Sequence, residues 1–370
     1  MPRQAARWAL RGYGTRSCAP AVAAAAAVTD GVMVIEAPTP TSPAPPDPLR
    51  LPLYAAPMAG LTHSAFRRLV GELGGAAALH SEMLAGTRLL VERPDSPYLR
   101  RRPGDGRVIY QLLLRDARRL DEIVDRLRPC QPDGIDLNCA CPAGGVRALG
   151  GGAALFEDAP RLEAILCELR RLWAGPLSVK IRLGHSPVAG WEQRLRDRLA
   201  MLRDQGVDQL TIHPRFAVDR LTRPARPALL PWLCAEAGLP VVANGDIAGP
   251  ETVAAHPEYY AACRGLMLGR IAIVRPWVFA AWQGGADWSP PSAAAVWRRA
   301  AEAIAEDFPA AIAARRLRQF TGWYARNFAY GHILAGRVRH LEDLAALHAA
   351  VEDFLAADPA PVATPPLHDL

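Results

Sequence analysis

The chain has 370 residues, 50% of them hydrophobic, and carries 43 basic against 37 acidic side chains for a formal net charge of +6. This length allows one large α/β domain with a smaller appendage, and no apolar run approaches the roughly 18 residues that a membrane span needs, so we expect no membrane association. The seven cysteines are scattered without zinc-like pairing, which favours a metal-free protein of the reducing cytoplasm over a disulfide-bonded or zinc-dependent fold.

Residues 1–48 differ from the rest of the chain in composition. They contain an alanine run at 23–27, several prolines and no acidic residue before Asp30. Such a segment cannot bury enough apolar surface to fold, so we predict a disordered leader. Arginines without acidic neighbours also suit an organelle transit peptide, and a translation start upstream of the true one, with Met33 as the candidate, is the third interpretation.

From residue 49 onward, short apolar runs alternate with amphipathic stretches. One such stretch is predicted to be a helix over residues 116–127, since Leu120, Ile123 and Leu127 share a helical face. Eight strands alternating with helices predict a closed parallel TIM barrel over residues 49–284. An open doubly wound sheet is the alternative, but no G-x-G-x-x-G follows the first strand to mark a dinucleotide site. The predicted strands are 53–57, 76–81, 108–114, 134–137, 177–181, 209–213, 240–243 and 265–268.

Polar or titratable residues follow the carboxyl end of nearly every predicted strand, where barrel enzymes build their active sites. The last two strands end in the glycine-rich turns Asn244-Gly245-Asp246 and Gly269-Arg270. Backbone N–H groups and an arginine there suit a phosphate, so we predict a phosphorylated cofactor or substrate. The other groups at strand ends are Pro57-Met58, Ser81-Glu82, Gln111, Asn138 with Cys141, Lys180 with Arg182, and His213 with Arg215.

Two kinds of side chain stand out among these groups. Lys180 is the only lysine in the chain, and a lysine offers what arginine cannot, a compact ammonium that can lie against one acceptor or release its proton. Cys139 and Cys141 follow the fourth strand, ahead of the glycines at 150–152. A thiol at this position can serve as an acid or a nucleophile. Free cysteines also commonly pack in the interior, and the pair alone does not decide between the two.

After Trp282 the pattern becomes helical, and we predict a separate domain over residues 290–358, with helices at 293–308, 310–324 and 341–355. Its second helix and the segment after it mix arginines with aromatic side chains. Such a surface suits RNA, since guanidinium groups meet phosphates and flat rings stack on unpaired bases. A helix bundle with an aromatic core and solvated arginines is the alternative. The side chains concerned are Arg315, Arg316, Arg318, Phe320, Trp323, Tyr324, Arg326 and Phe328.

Taken together, these motifs resemble the tRNA-dihydrouridine synthases, flavin enzymes that reduce uridine in transfer RNA. The resemblance covers about residues 53–282 in the family's order. The segment 316–320 with Trp323, and the glycines at 150–152, are similar to the C-type bacterial branch, which implies position 16 of the D-loop. The matching pieces are Ala56-Pro57-Met58-Ala59-Gly60 with Phe66-Arg67, Ser81-Glu82-Met83, Gln111-Leu112, Asp136-Leu137-Asn138 with Cys141-Pro142, Lys180-Ile181-Arg182-Leu183-Gly184, His213 with Arg215, Ala243-Asn244-Gly245-Asp246-Ile247, and Met267-Leu268-Gly269-Arg270.

The resemblance implies FMN at the barrel mouth, NADPH as reductant, tRNA as substrate and a monomeric enzyme. The flavin would pass a hydride to C6 of the uracil, and Cys141 would donate a proton to C5, which a thiol can do because it is largely protonated at neutral pH. Lys180 would lie at the N1–O2 edge of the flavin, where negative charge accumulates on reduction. FMN would be held by Pro57, Met58, Ala59, Gln111, Lys180, His213, Asn244, Gly245, Asp246, Gly269 and Arg270, and tRNA by Asn138, Arg182, Arg215, Arg315, Arg316, Arg318, Trp323 and Arg326.

The chain departs from the family pattern at several positions. Ala140 stands where a glycine is usual, Pro214 replaces the glycine of a His-Gly-Arg motif, and the lysine often found after Cys-Pro is absent. These changes concern the docking of RNA more than the binding of FMN. Two other hypotheses stay open: a flavin-dependent reductase of a small enone or pyrimidine on the same barrel, and a non-enzymatic tRNA-binding protein with a vestigial site.

Overall fold

The computed structural model describes residues 47–220, 222–285 and 288–367. The leader predicted over residues 1–48 therefore lies almost wholly outside the described residues, as do residues 286 and 287, between the predicted barrel and the predicted C-terminal domain. The described residues belong to one compact unit. Within them, no helix combines the length and the apolarity that crossing a bilayer requires.

Eight parallel strands close into a barrel in which each strand pairs with its neighbours in sequence and the first pairs with the eighth. The predicted TIM barrel is confirmed. The strands are β1 Leu53–Ala55, β2 Ala78–Ala85, β3 Val108–Leu113, β4 Gly134–Cys139, β5 Leu177–Ile181, β6 Gln209–Ile212, β7 Val241–Asn244 and β8 Gly265–Leu268.

The largest difference from the predicted strands is in β2, which continues to Ala85 instead of ending at Ser81. Its pairing with β3 shifts register between His80 and Met83. A bulge of this kind interrupts the alternation of side chains and lets the strand resume beyond it, so the pattern of the sequence ends before the strand does.

Alternate residues of each strand face two different interiors, as the pleat of a β-strand requires. Ile135 and Leu137 of β4 belong to the large outer core, where the strands meet the surrounding helices. The inner face carries a small apolar cluster that includes Tyr54, Val242 and Met267. The rest of the inner face is polar, and these polar groups lead up to the carboxyl ends of the strands.

Sixteen helices are described, and most of them cover the barrel. Two differences from the predicted bounds have local causes. Helix α3 begins at Leu120, not Asp116, because Arg119 has a φ of +57°, which a right-handed helix cannot include. The helices are α1 Ser64–Leu73, α2 Gly86–Leu89, α3 Leu120–Leu127, α4 Gly144–Ala148, α5 Ala153–Glu157, α6 Ala159–Leu172, α7 Trp191–Asp204, α8 Leu230–Ala237, α9 Pro250–Ala254, α10 Pro257–Tyr260, α11 Arg270–Val274, α12 Val278–Gly284, α13 Ala293–Asp307, α14 Ala310–Tyr324, α15 Gly331–Val338 and α16 Leu344–Ala356. Helix α16 is the second helix whose start differs from the prediction: it begins at Leu344 and not at residue 341. The side chain of Asp343 accepts a hydrogen bond from the N–H of Ala346 and caps the helix there.

Helices α13 to α16 follow the barrel and pack on it through α1. Trp297 of α13 is fully buried, and its indole N–H donates to the hydroxyl of Thr321 on α14 at 2.9 Å. Phe320 and Tyr324, two of the aromatic residues noted in the sequence, are also buried and stack on each other at 5.3 Å between ring centroids. These rings therefore form core and are not available to stack on bases.

A buried carboxylate joins the C-terminal helices to the barrel. Asp307, at the end of α13, accepts hydrogen bonds from the hydroxyl of Ser64 on α1, from Arg100 at 2.7 Å and from Arg102. Its side chain is fully shielded from solvent, whereas the two arginines are partly exposed. The carboxylate thus bridges segments that lie more than two hundred residues apart in the chain.

We expect Asp307→Ala to lower the free energy of unfolding by about 2–3 kcal/mol, because it leaves a buried hydroxyl and two guanidinium groups without their acceptor. The matched control is Asp353→Ala, which breaks an exposed pair with Arg337 and should change stability by less than about 0.5 kcal/mol. Urea denaturation of the full chain measures both variants. Equal losses would contradict the assigned role of Asp307.

Candidate active site

The carboxyl ends of the strands open into a cavity of about 160 Å³. All of the residues predicted to hold FMN line it except Ala59 and Gln111. Arg182, predicted to contact tRNA, also lines it. The cavity thus gathers groups from β1, β5, β6, β7 and β8 at the rim where the sequence predicted an active site. Its lining residues are Ala56, Pro57, Met58, Lys180, Arg182, His213, Asn244, Gly245, Asp246, Ile247, Met267, Gly269, Arg270, Ile271 and Leu367.

Lys180, at the end of β5, brings a positive charge to the inner wall of this cavity. It is 8% exposed, and no described residue accepts a hydrogen bond from its ammonium. Burial lowers the pKa of Lys180 to about 8, and the neighbouring Arg182 adds to the effect while Asp136 opposes it. A buried ammonium without a partner seeks an acceptor, so this group is available to a polar or anionic atom of a ligand.

A network of hydrogen-bonded side chains runs from the inner wall to the outer end of the cavity. Arg215 is fully buried and contacts Nε2 of His213 at 2.9 Å. Because a guanidinium only donates, Nε2 accepts and the proton of the neutral ring is on Nδ1. Burial, reinforced by the charge of Lys180, lowers the pKa of His213 well below its usual range, in agreement with a neutral ring.

The same network of side chains continues through Asp246 to Arg270. One carboxylate oxygen of Asp246 accepts from Arg215 at 2.7 Å and the other accepts from Arg270 at 2.7 Å. Arg270 also donates to the backbone carbonyl of Leu367 at 2.7 Å. Arg215 was predicted to contact tRNA, whereas the structure buries it in support of His213 and Asp246. The predicted phosphate arginine, Arg270, is held at the cavity by that support.

Asn138 and Gln111 lie in a buried network and not at the cavity surface. The amide of Asn138 donates to Gln111 at 2.8 Å, and that of Gln111 donates to Asp136 at 2.6 Å. The side-chain carbonyl of Asn138 accepts hydrogen bonds from the backbone N–H groups of Ala140 and Cys141 at 3.1 and 3.0 Å. Asn138 therefore shapes the loop that carries Cys141, and Gln111 holds Asn138.

The two cysteines of this loop have different environments. Cys139 is 1% exposed in the outer core, and burial raises its pKa. Cys141 is only partly buried, and the backbone of Gly152 lies against it: a Cβ at Gly152, whose φ is +58°, would be 3.1 Å from the Cβ of Cys141. Of the two thiols, Cys141 is the one that a ligand can reach, as expected for the residue before the proline.

The residues of the C-terminal helices that were predicted to bind tRNA fall into two groups. Arg315 is exposed and has no hydrogen-bond partner among the described residues. The other three arginines donate to protein carbonyls: Arg316 to that of Gly60 at 3.0 Å, Arg318 to that of Leu341 at 2.8 Å, and Arg326 to that of Pro366 at 3.2 Å. Arg326 also lies over the ring of Trp323, at 4.0 Å from its centroid. Sequence pattern alone does not separate the two groups, since all of these arginines occur in one short segment.

Some residues at this rim were not predicted. Leu367 reaches the cavity from the far end of the chain, a contact for which a local motif gives no signal. A second cavity of about 240 Å³ lies beside the loop after β5, lined by residues that include Glu157, His185, Trp191, Arg194 and Arg198. The spacing of these residues in the sequence is that of ordinary surface helices and turns, so it gave no signal for a cavity.

Comparison with known proteins shows what this chain is similar to. The family model of dihydrouridine synthases matches residues 54–356. tRNA-dihydrouridine synthase B of Escherichia coli K12 is 32% identical over 330 residues, which cover 83% of this chain and 98% of that protein. The protein of the same name from Pseudomonas putida KT2440 is 30% identical over 319 residues, covering 83% of this chain and 92% of its own.

Among solved structures, an old yellow enzyme homologue from Zymomonas mobilis superposes with a TM-score of 0.47 at 14% identity, over 65% of this chain and 90% of its own. Morphinone reductase gives a TM-score of 0.46 at 11% identity, over 68% and 91%. The extent of the family match and the identity to the synthases decide the assignment: the chain belongs to the dihydrouridine synthase family.

Proposed function

We propose that this protein is an FMN-dependent tRNA-dihydrouridine synthase that uses NADPH to reduce a uridine of the D-loop, and that it acts as a monomer. The observation that supports this most is that two groups occur together at one barrel mouth: Lys180, whose buried ammonium has no hydrogen-bond partner among the described residues, and the accessible thiol of Cys141. The relatives that this chain matches over nearly their whole length are named tRNA-dihydrouridine synthases.

The groups that line the cavity fit FMN. At its outer end, Arg270 follows Gly269, where a Cβ would meet its nearest neighbours only at 3.8 Å, so the backbone there has room beside it for a phosphate that the arginine can bind. At its inner end, Lys180 and the Nδ1–H of His213 can donate to the polar edge of a ring, and Met58 offers an apolar surface beneath it. When bound, FMN supplies hydride transfer.

Residues of this chain would then supply the other parts of the reaction. The thiol of Cys141 donates a proton to C5 of the uracil, and Asn138 orients the backbone that carries the thiol. Lys180 places positive charge where reduction adds negative charge. A uridine reaches such a pocket only after leaving its stack, so an unpaired loop nucleotide is the natural substrate.

Helices α13 to α16 would form the tRNA-binding domain. Arg315, Trp323 and Arg326 are its candidates for contacts with RNA, the first as a phosphate partner and the last two as a stacked pair. For the target we keep position 16, predicted from the C-type motifs, although the matching relatives carry the type B name. Mapping of the reduced uridine decides between position 16 and its D-loop neighbours.

A backbone variant tests the cofactor site. Gly245 has a φ of +113°, and a Cβ there would be 2.6 Å from the ring of His213, so Gly245→Ala both strains the backbone and displaces the ring. We expect FMN affinity to fall on the order of tenfold. The control is Gly322→Ala on α14, where a Cβ meets nothing within 4 Å and affinity should not change. Fluorescence titration of cofactor-free protein with FMN measures both, and equal affinities would contradict the assigned site.

The reductase of a small molecule is the alternative function, and the reducing half of the reaction does not distinguish it. Both functions predict a yellow protein that NADPH bleaches without oxygen. The oxidising half does: the reduced protein should be reoxidised by tRNA that lacks dihydrouridine and only slowly by cyclohexenone. The reverse preference would support the small-molecule reductase, and a purified protein without flavin would support the non-enzymatic tRNA-binding protein.

A further inference from the structure

The loop between β1 and α1 is held from two sides by charged residues. Its N–H at Gly60 donates to the carboxylate of Glu82 on β2 at 2.7 Å, and its carbonyl at Gly60 accepts from Arg316 on α14 at 3.0 Å. Gln319, one turn further along α14, points its amide at the carbonyl of Ala59, 3.5 Å away. We call Gly60, Glu82, Arg316 and Gln319 the Gly60 clasp.

The Gly60 clasp holds a loop that also lines the cavity. Pro57 and Met58, three and two residues before Gly60, line the cavity, and Arg316 and Gln319 of α14 contact the same loop directly. Gly60 has a φ of +77°, and a Cβ there would be 2.6 Å from Arg316 and 2.8 Å from Gln319. A side chain at this position would therefore strain the backbone and displace the ends of the Arg316 and Gln319 side chains.

The charges of the clasp balance one another. Glu82 is 8% exposed, and one of its carboxylate oxygens has no partner within the described ranges. Burial raises the pKa of Glu82, while the N–H of Gly60 and the positive charge of Arg316 act against that rise. Removing Arg316 would leave the carboxylate with less compensation, so the two sides of the clasp depend on each other.

Arg316 also contacts protein groups outside the Gly60 clasp. Its second terminal nitrogen donates to the hydroxyl of Tyr98 at 3.1 Å, and its guanidinium lies 5.8 Å from the ring centroid of Phe308. A guanidinium with carbonyl, hydroxyl and ring neighbours is positioned by the protein, and Arg316 is partly buried. Arg315, its exposed neighbour on the same helix, has none of these contacts.

We propose that Arg316 and Gln319 are positioning residues for the loop beneath the FMN site, and that Arg316 does not contact tRNA. The C-terminal helices would then have two separate tasks: α14 completes the cofactor site through the Gly60 clasp, and its exposed face meets RNA through Arg315. This inference rests on the proposed FMN site, since it assigns the clasp a role only if Pro57 and Met58 contact the flavin.

The test compares Arg316→Gln with Arg315→Gln in the full chain. We expect Arg316→Gln to weaken FMN binding on the order of tenfold, because the loop loses a charge-assisted hydrogen bond, and to leave the tRNA dissociation constant and its salt dependence unchanged. Arg315→Gln should do the reverse: FMN affinity stays at the wild-type value, tRNA affinity falls a few-fold and the slope of log K against log[salt] becomes shallower by about one. Fluorescence titration with FMN and filter binding of unmodified tRNA give the two readouts.

Two further variants guard against a simple loss of folding. Gln319→Ala removes the weaker contact and should lower FMN affinity two- to threefold at an unchanged melting temperature, and Arg316→Lys, which keeps one donor, should restore part of the loss. If Arg316→Gln and Gln319→Ala bind FMN like the wild type, the inference is wrong. The same holds if Arg316→Gln makes the salt dependence of tRNA binding shallower. A wild-type protein that binds no FMN would instead overturn the proposed function on which the inference rests.

Discussion

Cys141→Ala is expected to lower the rate at which tRNA reoxidises the reduced protein by about 10²–10⁴-fold, the usual contribution of a positioned general acid. FMN should stay bound, because Cys141 is not among the residues that line the cavity. Reduction by NADPH should likewise keep its wild-type rate, since no proton from Cys141 enters that step. Anaerobic stopped-flow spectroscopy of the two half-reactions separates these effects.

The control for this prediction is Cys167→Ala, which removes an exposed thiol on α6 and should leave both half-reactions at the wild-type rate. Cys139→Ala is a second control: it removes a thiol from the core and should lower stability more than activity. Full reoxidation by tRNA in Cys141→Ala would show that another group supplies the proton.

Lys180→Met is expected to have opposite effects on activity and stability. The pKa of Lys180 is about 8 in the folded chain, below the ordinary 10.5 that the unfolded chain retains. Below pH 8 the folded state therefore carries a buried charge that the unfolded state holds more easily, and this penalty disappears as the pH rises from about 8 to 10.5. Removing the ammonium should stabilise the cofactor-free protein at pH 7 by up to about 3 kcal/mol, with no advantage left above pH 10.5.

The functional side of the same prediction follows from the charge. Without the ammonium, NADPH should reduce the bound flavin at least tenfold more slowly at pH 7, because negative charge then develops without a neighbouring cation. In the wild type this rate should fall as the pH rises through about 8, where Lys180 loses its proton, while the variant should show no such step. Urea denaturation and anaerobic reduction over pH 6–10 measure the two sides. A variant that is both less stable and fully active would contradict the assigned role.

The barrel and most of the cavity could be predicted because their signals are local. Each strand is a short apolar run, and the groups at its carboxyl end are the next residues in sequence, so Lys180, Asn244 and Arg270 could be placed at one rim without knowing any long-range contact. The two glycine-rich turns could be predicted as parts of the site for the same reason. Glycine allows backbone conformations that other residues avoid, and Gly245 adopts one of them, with a φ of +113°.

The remaining features depend on contacts between distant segments. Arg315 and Arg316 are adjacent in sequence, yet one is exposed and the other is bonded to Gly60, 256 residues away. Gln111 and Asn138 looked like cavity groups because each follows a strand, whereas their amides bond to each other inside the barrel. Burial of a polar side chain is decided by its partners across the fold, and a local pattern does not contain them.

The most direct test of the central proposal is to incubate the purified protein with NADPH and tRNA that lacks dihydrouridine, and then to map reduced uridines by mass spectrometry of nuclease fragments. We predict that one D-loop uridine gains 2 Da, the mass of the two hydrogens added to its ring, and that Cys141→Ala abolishes this product. A protein whose bound FMN is bleached by NADPH but which reduces no uridine in the tRNA would contradict the proposal and would favour a small-molecule substrate.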